Sequence, residues 1–242
     1  MSYLQSMQKI ILSTMLSAVS FLVHAQGPLT VQGDSVITAG GYRIQLSKQG
    51  FPEQIDSLLV ENIHFHFTRQ PDGKDIRLTS GGLHITRDGQ AVAWKDTCTS
   101  DELRMEVGAG LRSNGYLSYR VKVTALQDLD IKDITMHIPF QPEKAKLIKG
   151  LGLPYGPRPD SNYRWKWDAA GQKGPAAAWI GTADGGLQCF LVPGVWDNGG
   201  KGGVIVGIKG KSMLLNNYSG PRHLQKGDSL DYYFVLMVTK GK

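Results

Sequence analysis

The residues of this sequence best suited to binding or catalysis are aromatic side chains concentrated after residue 150. Tyr163, Trp165 and Trp167 alternate with charged residues, so their rings share one face of an extended segment. Sugar rings stack on such aromatic planes while neighbouring polar groups bind hydroxyls, but aromatics of this size also build β cores and domain interfaces. The segment therefore predicts either a sugar-contacting face or a core and domain-interface face.

Aspartate is the only side-chain carboxylate from residue 144 to the C-terminus, which restricts acid–base chemistry there. Glycoside hydrolysis usually requires two carboxyl groups held about 5 to 9.5 Å apart. Asp168 and Asp184 could form such a pair, although turn and loop positions also account for aspartates of this kind. A small glycosidase using these two residues is one hypothesis, and loop-forming aspartates are the alternative.

Two further patterns resemble binding motifs. His64 and His66 share one face of a strand, a spacing that can hold a metal, but a catalytic zinc site requires a third ligand and none is evident. We therefore expect two exposed-face histidines, no metal and no other cofactor. The glycine-rich run Asn198–Gly203 lacks Ser or Thr after Lys201 and continues as a strand, so it predicts a flexible hairpin or bulged loop rather than a phosphate loop.

The elements that must position these residues are strands. Apolar and polar residues alternate with period two over 42–47, 63–67, 103–107, 117–123 and 134–138. Turn-forming residues separate these segments, and the only helical feature expected is a short turn over 142–147. Two denser apolar runs follow at 204–208 and 230–238, and apolar residues occupy both faces of the second, as in a strand covered on both sides. We predict an all-β fold, an antiparallel, supersandwich-like β-sandwich.

The N-terminus predicts export. Lys9 precedes an uncharged, mostly apolar run from Ile10 to Val23, which is shorter than the about 20 residues of a membrane-spanning helix. Val23 and Ala25 are the small residues that signal peptidase recognises, so we predict a signal peptide at 1–25, cleaved before Gln26. Residues 26–242 would then form one secreted or periplasmic β-sandwich domain with no membrane contact.

The charge and the cysteine content limit which binding partners and which cysteine redox states are expected. The chain has 27 Lys and Arg against 21 Asp and Glu, for a net charge of +6. These charges are scattered, which predicts a solvated surface and no nucleic-acid partner. Cys98 and Cys189 are the only cysteines, and both lie in strand-like runs. An oxidising compartment permits a disulfide between them, and two buried free thiols are the alternative.

Several short motifs in the C-terminal half occur in the order typical of one family. They are Gly150-Leu-Gly-Leu-Pro154 with Arg158-Pro159, Tyr163-Arg-Trp-Lys-Trp-Asp168, Trp179-Ile-Gly181 with Gly186-Leu-Gln-Cys189, Trp196-Asp-Asn-Gly-Gly-Lys-Gly-Gly203, Asn217-Tyr-Ser-Gly-Pro-Arg222 and Gly227-Asp-Ser-Leu-Asp-Tyr232. With these motifs the chain resembles the N-terminal β-sandwich domain of large secreted Bacteroidetes-type proteins related to glycoside hydrolase family 123. The resemblance covers essentially all of residues 26–242.

The resemblance implies that a TIM-like barrel follows the sandwich. In that barrel an adjacent Asp-Glu pair acts with the acetamido group of N-acetyl-β-galactosaminides. A barrel alone takes about 250 residues, more than residues 26–242 provide. The only Asp-Glu dipeptide, Asp101-Glu102, precedes a strand in the other half of the chain. No catalytic residue is therefore carried over from the family to this sequence.

Three functional hypotheses follow. The first is a non-catalytic accessory domain that supports or shapes a carbohydrate site supplied by a catalytic barrel in cis or in trans. The second is an independent carbohydrate-binding module with a glycan partner, and the third is the small glycosidase. We expect the aromatic candidates to cluster on one side with the loops at 150–159 and 197–203, partly accessible to solvent. The residues predicted to contact a carbohydrate or another domain are Tyr155, Arg158, Tyr163, Trp165, Trp167, Asp168, Trp196 and Arg222.

Overall fold

The computed structural model describes residues 29–39, 41–88, 91–167 and 176–240, so the predicted signal peptide and Asp168 lie outside the described residues. In these ranges the chain forms β1 Thr30–Gln32, β2 Val36–Ala39, β3 Tyr42–Leu46, β4 Pro52–Ile55, β5 His64–Arg69, β6 Thr79–Ser80, β7 His84–Asp88, β8 Ala91–Thr99, β9 Leu103–Arg112, β10 Tyr116–Ala125, β11 Leu129–Phe140, β12 Leu147–Gly150, β13 Leu153–Pro157, β14 Tyr163–Lys166, β15 Ala177–Thr182, β16 Gly185–Leu191, β17 Gly203–Lys209, β18 Ser212–Tyr218, β19 Arg222–Leu224 and β20 Ser229–Lys240. Two 3-10 turns occur at Pro142–Lys144 and Asn198–Gly200. The described ranges contain no helix long and apolar enough to cross a membrane.

The strands form three antiparallel sheets. A four-stranded sheet has the order β1-β2-β3-β4. A ten-stranded sheet has the order β13-β12-β15-β16-β20-β10-β9-β8-β6, with β7 also paired to β8. A six-stranded sheet has the order β14-β17-β18-β11-β19, with β5 paired to the other side of β11. One end of the ten-stranded sheet is β13, whose sequence Leu-Pro-Tyr-Gly-Pro contains two prolines.

Aromatic side chains join the two larger sheets into a sandwich. Phe65 of β5 projects from the six-stranded sheet, and its ring centroid lies 5.6 Å from that of Tyr232 and 6.3 Å from that of Phe234, both on β20. Phe234 in turn stacks on Tyr119 of β10, with centroids 4.8 Å apart. Because each of these rings is at least nine-tenths buried, they form the central part of the core.

One buried backbone carbonyl is among the contacts that attach the four-stranded sheet to the ten-stranded sheet. Gly50 lies in the turn between β3 and β4, and its oxygen accepts hydrogen bonds from Trp94 Nε1 at 2.7 Å and from Tyr119 Oη at 3.1 Å. Both lone pairs of this buried carbonyl are therefore used. The neighbouring Phe51 stacks on Tyr119 with centroids 5.6 Å apart, which continues the same core.

The predicted all-β, antiparallel sandwich is confirmed. The five alternating segments coincide with β3, β5, β9, β10 and β11, and their apolar positions are the buried ones. The short turn predicted over 142–147 is the 3-10 turn at Pro142–Lys144, after which β12 begins. Of the two alternatives for the cysteines, the structure has the free thiols, both buried. Burial raises the pKa of both thiols, and for Cys98 the adjacent Asp96 carboxylate raises it further.

Candidate functional site

The aromatic segment forms β14, the edge strand of the six-stranded sheet, and its rings point towards the sandwich interior. Trp165 is opposite Val204 of β17 and is half-buried, whereas Trp167 is only 4% exposed. The two indole rings meet edge to face, with centroids 5.2 Å apart. Tyr163 Oη donates to Leu151 O at 2.6 Å, which ties β14 to the β12–β13 turn. The sugar-contact alternative is therefore wrong for Trp167, because its ring is inside the core.

Trp196 is also a core residue. Its side chain has no solvent exposure, its centroid lies 4.7 Å from that of Tyr232, and its Nε1 donates to Tyr233 O at 3.1 Å. The segment between β16 and β17 thus inserts the indole between the two large sheets. Trp196 cannot stack on a sugar in this fold, which corrects its assignment as a carbohydrate-contact candidate.

The loop at 194–203 is held by polar contacts around Arg222. Asn198 Nδ2 donates to Ser219 O at 2.8 Å, and Asn198 Oδ1 accepts from Arg222 Nη1 at 2.6 Å. The other terminal nitrogen of Arg222 donates to Val195 O, and Asp197 Oδ1 accepts from Gly199 N at 3.1 Å. The run predicted as a hairpin or bulged loop therefore contains a cross-linked 3-10 turn, and Arg222 fixes that turn to β19.

Gly202 brings the tryptophan segments together. Its carbonyl accepts a hydrogen bond from Trp167 N at 3.4 Å, and a Cβ on this glycine would lie 1.9 Å from Trp196 O. Only glycine permits this approach of two backbones. The loop, Trp165, Trp167 and Trp196 therefore do lie close together, as the sequence predicted, but as a packed corner of the sandwich in which two of the three indoles are sealed.

Tyr155 lies elsewhere, on the outer face of the ten-stranded sheet. It is 58% exposed, and its ring contacts Trp179 of β15 with centroids 5.8 Å apart. Trp179 is half-buried, and its Nε1 donates to Thr239 Oγ1 at 2.8 Å, which fixes the indole against β20. Arg158 follows directly after β13, where its backbone N donates to Lys146 O at 2.9 Å and its Nη1 donates to Pro159 O at 3.3 Å.

The strand register extends this aromatic pair into an apolar band, here called the outer strip. Trp179 is opposite Gln188, Gln188 is opposite Met237, and Met237 is opposite Tyr116, while Phe190 is opposite Val235 in the next row. Directly opposite residues of neighbouring strands share a face. Apart from the exposed Tyr155 and the buried Val235, the members of this strip are half-buried. The outer strip consists of Tyr155, Trp179, Phe190, Val235, Met237 and Tyr116.

Of the proposed acid pair, Asp168 lies outside the described residues. Asp184 is exposed in the turn between β15 and β16, where its backbone N donates to Thr182 Oγ1 at 3.3 Å. Its position is that of a turn residue, which was the alternative explanation for this aspartate.

A second polar surface lies on the outer face of the six-stranded sheet, and the sequence only partly indicated it. His64 of β5 is opposite His137 of β11, which is opposite Asn216 of β18. His66 projects from the same face two residues further along β5, with its ring centroid 5.5 Å from that of His137. The sequence motif lacked a third histidine, and His137 supplies one from a strand 71 residues away. The missed signal was its place in the polar phase of β11, between Met136 and Ile138.

Burial controls the charge of His137. It lowers the pKa of His137 to about 4, the Asn216 contact opposes this, and the neighbouring His64, His66 and Lys209 lower the pKa further. His137 is therefore neutral near pH 7, as a histidine must be to offer a ring nitrogen to a ligand. Within the described ranges, no three His, Cys, Asp or Glu side chains already have the geometry of a metal site.

Comparison with known proteins gives one family match. The family model described as "Glycoside hydrolase 123, third domain" matches residues 29–192 and 190–240. No curated protein matches the chain significantly.

Several solved structures align with most of the chain. A putative aldose 1-epimerase from Escherichia coli K12 aligns with a TM-score of 0.50 and 13% identity, over 88% of this chain and 100% of its own. Slr1438 from Synechocystis sp. PCC 6803 aligns with a TM-score of 0.49 and 9% identity, over 92% of this chain and 100% of its own. A mutant of the heparan sulfate lyase HepC from Pedobacter heparinus aligns with a TM-score of 0.49 and 8% identity, over 89% of this chain and 37% of its own. At 13% identity the likeness to the epimerase extends to the fold alone.

Proposed function

The chain belongs to the glycoside hydrolase 123 family through that family's third domain, and from this premise we propose that it is a non-catalytic accessory domain. It is thus a domain of a carbohydrate-active protein family. The sequence resemblance to family 123 is confirmed, but the matching model describes the third domain of that family and not the N-terminal one. In the proposed role the domain supports or shapes a carbohydrate site that a catalytic barrel supplies. We also propose that it acts after export, outside the cytoplasm.

The observation that carries this proposal is the outer strip. β20 lies in the middle of the ten-stranded sheet, and both of its faces carry apolar residues: Phe234 and Leu236 face the core, whereas Val235 and Met237 face outward. A strand has this composition when something covers each face of its sheet. The sandwich core covers one face, and we assign the other to a neighbouring domain of the same protein family.

The composition of the strip suits such a contact. Interfaces between domains bury about 600 to 1,500 Å² and are more polar than permanent subunit interfaces. The strip combines large aromatic rings with Gln188 in its centre and Arg112 at its end, where the guanidinium lies 6.0 Å from the centroid of Tyr116. Aromatic anchors surrounded by polar groups are typical of the energetically important part of an interface.

An independent carbohydrate-binding module is the second candidate, and the exposure of Tyr155 favours it. Its ring is 58% exposed beside the half-buried Trp179, and Gln188 on the adjoining strand is placed to bind hydroxyl groups. Such an open aromatic pair could stack on sugar rings without any second domain. The two candidates use the same strip but require different partners, so binding experiments separate them.

The test uses the full chain and a separately produced catalytic barrel from a glycoside hydrolase 123 enzyme. Analytical ultracentrifugation and titration calorimetry should detect a complex of the two. Tyr155→Asp should weaken it at least about tenfold, which is about 1.4 kcal/mol, because a charge would be buried against the partner. The matched control is Ile208→Asp, which alters another exposed apolar residue, on β17 of the other large sheet.

Three results would count against the accessory role. Equal weakening by both substitutions, or no complex at all, would remove the assigned interface. Binding of N-acetylgalactosamine oligosaccharides by the chain alone, lost in Tyr155→Asp, would instead establish a carbohydrate-binding module. Release of aryl product from an aryl N-acetyl-β-galactosaminide by the chain alone, abolished by Asp184→Asn, would establish the small glycosidase.

A further inference from the structure

We propose that His64, His66 and His137 form a binding site for a divalent transition-metal ion such as Zn²⁺. The site lies on the outer face of the six-stranded sheet, whereas the outer strip lies on the ten-stranded sheet. All three rings project from the same face of two paired strands, β5 and β11, whose backbones fix their spacing. The centroids of His64 and His66 lie 5.0 and 5.5 Å from that of His137, so His137 is the centre of the group.

Contacts to oxygen atoms determine which nitrogen of two rings carries the proton. His64 Nδ1 lies 2.9 Å from Asn62 O, and His137 Nδ1 lies 2.5 Å from Asn216 Oδ1. A carbonyl oxygen only accepts hydrogen bonds, so each Nδ1 is the donor and each Nε2 keeps a free lone pair. Histidines that bind metals usually have their second nitrogen fixed in this way by a backbone or side-chain oxygen.

The third ring is oriented by a carboxylate. His66 Nε2 is in contact with Asp75 Oδ1, although at an angle outside that of a regular hydrogen bond. The negative charge favours the tautomer with its proton on Nε2, which leaves the lone pair on Nδ1. That Nδ1 lies 3.4 Å from His137 Nε2. This contact is a hydrogen bond when one of the two nitrogens carries a proton, and a metal ion bound to both nitrogens would replace that proton.

The distance between these two nitrogens matches tetrahedral coordination. With Zn–N bonds of about 2.0 to 2.1 Å and a tetrahedral angle, two ligand nitrogens are about 3.3 to 3.4 Å apart. His66 Nδ1 and His137 Nε2 therefore already have the span of a coordinating pair. His64 is not yet in position, and a rotation about its side-chain bonds that also moves its Nδ1 relative to Asn62 O would bring its Nε2 towards the same point. Solvent would occupy the fourth position, because the side chain of His66 is 36% exposed.

The test is a titration of the tag-free full chain with Co²⁺ and Zn²⁺. Bound Co²⁺ should show the visible absorption bands of a tetrahedral nitrogen site, and Zn²⁺ should displace it. His66→Gln and His64→Gln should each weaken Zn²⁺ binding at least about tenfold, and Asp75→Asn should weaken it by a similar factor because it orients His66. The control is His84→Gln, which removes an exposed histidine on β7 of the ten-stranded sheet.

Circular dichroism of each variant shows whether it is folded. A substitution of the half-buried His137 can prevent folding, so the test relies on the more exposed His66. Tetrahedral Co²⁺ bands that disappear in His66→Gln but persist in His84→Gln would support the site. Absence of these bands in the unchanged chain would overturn the proposal. Equal loss of affinity in His66→Gln and His84→Gln would also overturn it, since binding would then be unspecific.

Discussion

Replacement of Trp196 by alanine tests whether this indole is a core residue or a binding residue. The side chain has no solvent exposure and contacts Phe65, Tyr232 and Phe234, with ring centroids 5.9, 4.7 and 6.4 Å away. Its removal leaves a cavity where the two large sheets meet, and buried Trp→Ala changes cost about 3 to 5 kcal/mol. The hydrogen bond from Nε1 to the carbonyl of Tyr233 is also lost, which adds about 1 kcal/mol.

We therefore expect Trp196→Ala to lower the free energy of unfolding by about 4 to 6 kcal/mol. For a domain of this size the corresponding fall in Tm is about 8 to 24 °C. Urea unfolding followed by near-ultraviolet circular dichroism measures the free energy, and differential scanning calorimetry measures the Tm. Trp196→Phe should lose less, because it keeps an aromatic ring in the cavity.

The matched control is Trp179→Ala, which removes a half-buried indole from the outer strip. It should cost no more than about 2 kcal/mol, because solvent already reaches that ring. The reasoning is refuted if Trp196→Ala costs less than about 2 kcal/mol, or no more than Trp179→Ala. Either result would mean that the indole does not hold the two large sheets together.

Two further predictions concern backbone packing and ionisation. Gly202→Ala should lower the free energy of unfolding, measured in urea, by about 1 to 3 kcal/mol or more, because its Cβ would lie 1.9 Å from Trp196 O. The control, Gly156→Ala, should change this free energy little, because there is open space around the added methyl. Burial raises the pKa of Tyr232 from 10.0 to about 12, so the neutral hydroxyl stabilises the fold fully below pH 10 and this contribution disappears as the pH rises towards 12. The alkaline loss of stability should be smaller in Tyr232→Phe, and the same loss in both proteins would contradict the assignment.

The fold was largely predictable because the pattern of residues within each strand determines which of its side chains are buried. Alternation along β9, β10 and β11 determines which side chains face the core, and a strand with one buried face cannot change register by one residue without exposing them. The aromatic alternation of β14 was likewise predicted correctly. Its direction was left open between the two alternatives, since period-two alternation shows that Trp165 and Arg164 face opposite ways but not which side is the interior.

The candidate sites were less predictable because they depend on pairing between distant strands. The outer strip combines Trp179, Met237 and Tyr116, which meet only through the order β15-β16-β20-β10. His137 joins His64 only because β5 pairs with β11. The sequence did contain one usable signal, the apolar residues on both faces of β20, which indicated a second covered face without naming its other members.

The proline-containing strand β13 determines how other chains can approach the ten-stranded sheet. Arg158 N points inward to Lys146 O, so the preceding Pro157 faces outward and offers no N–H to a neighbour. An edge strand that lacks an outward donor at one of its positions is a poorer template for a further strand. This end of the sheet should therefore resist the chain-to-chain hydrogen bonding that leads to aggregation, although the hydrophobic strip beside it is partly open to solvent. A protein partner would therefore bind here through side-chain contacts on the face of the sheet and not through backbone hydrogen bonds at its edge.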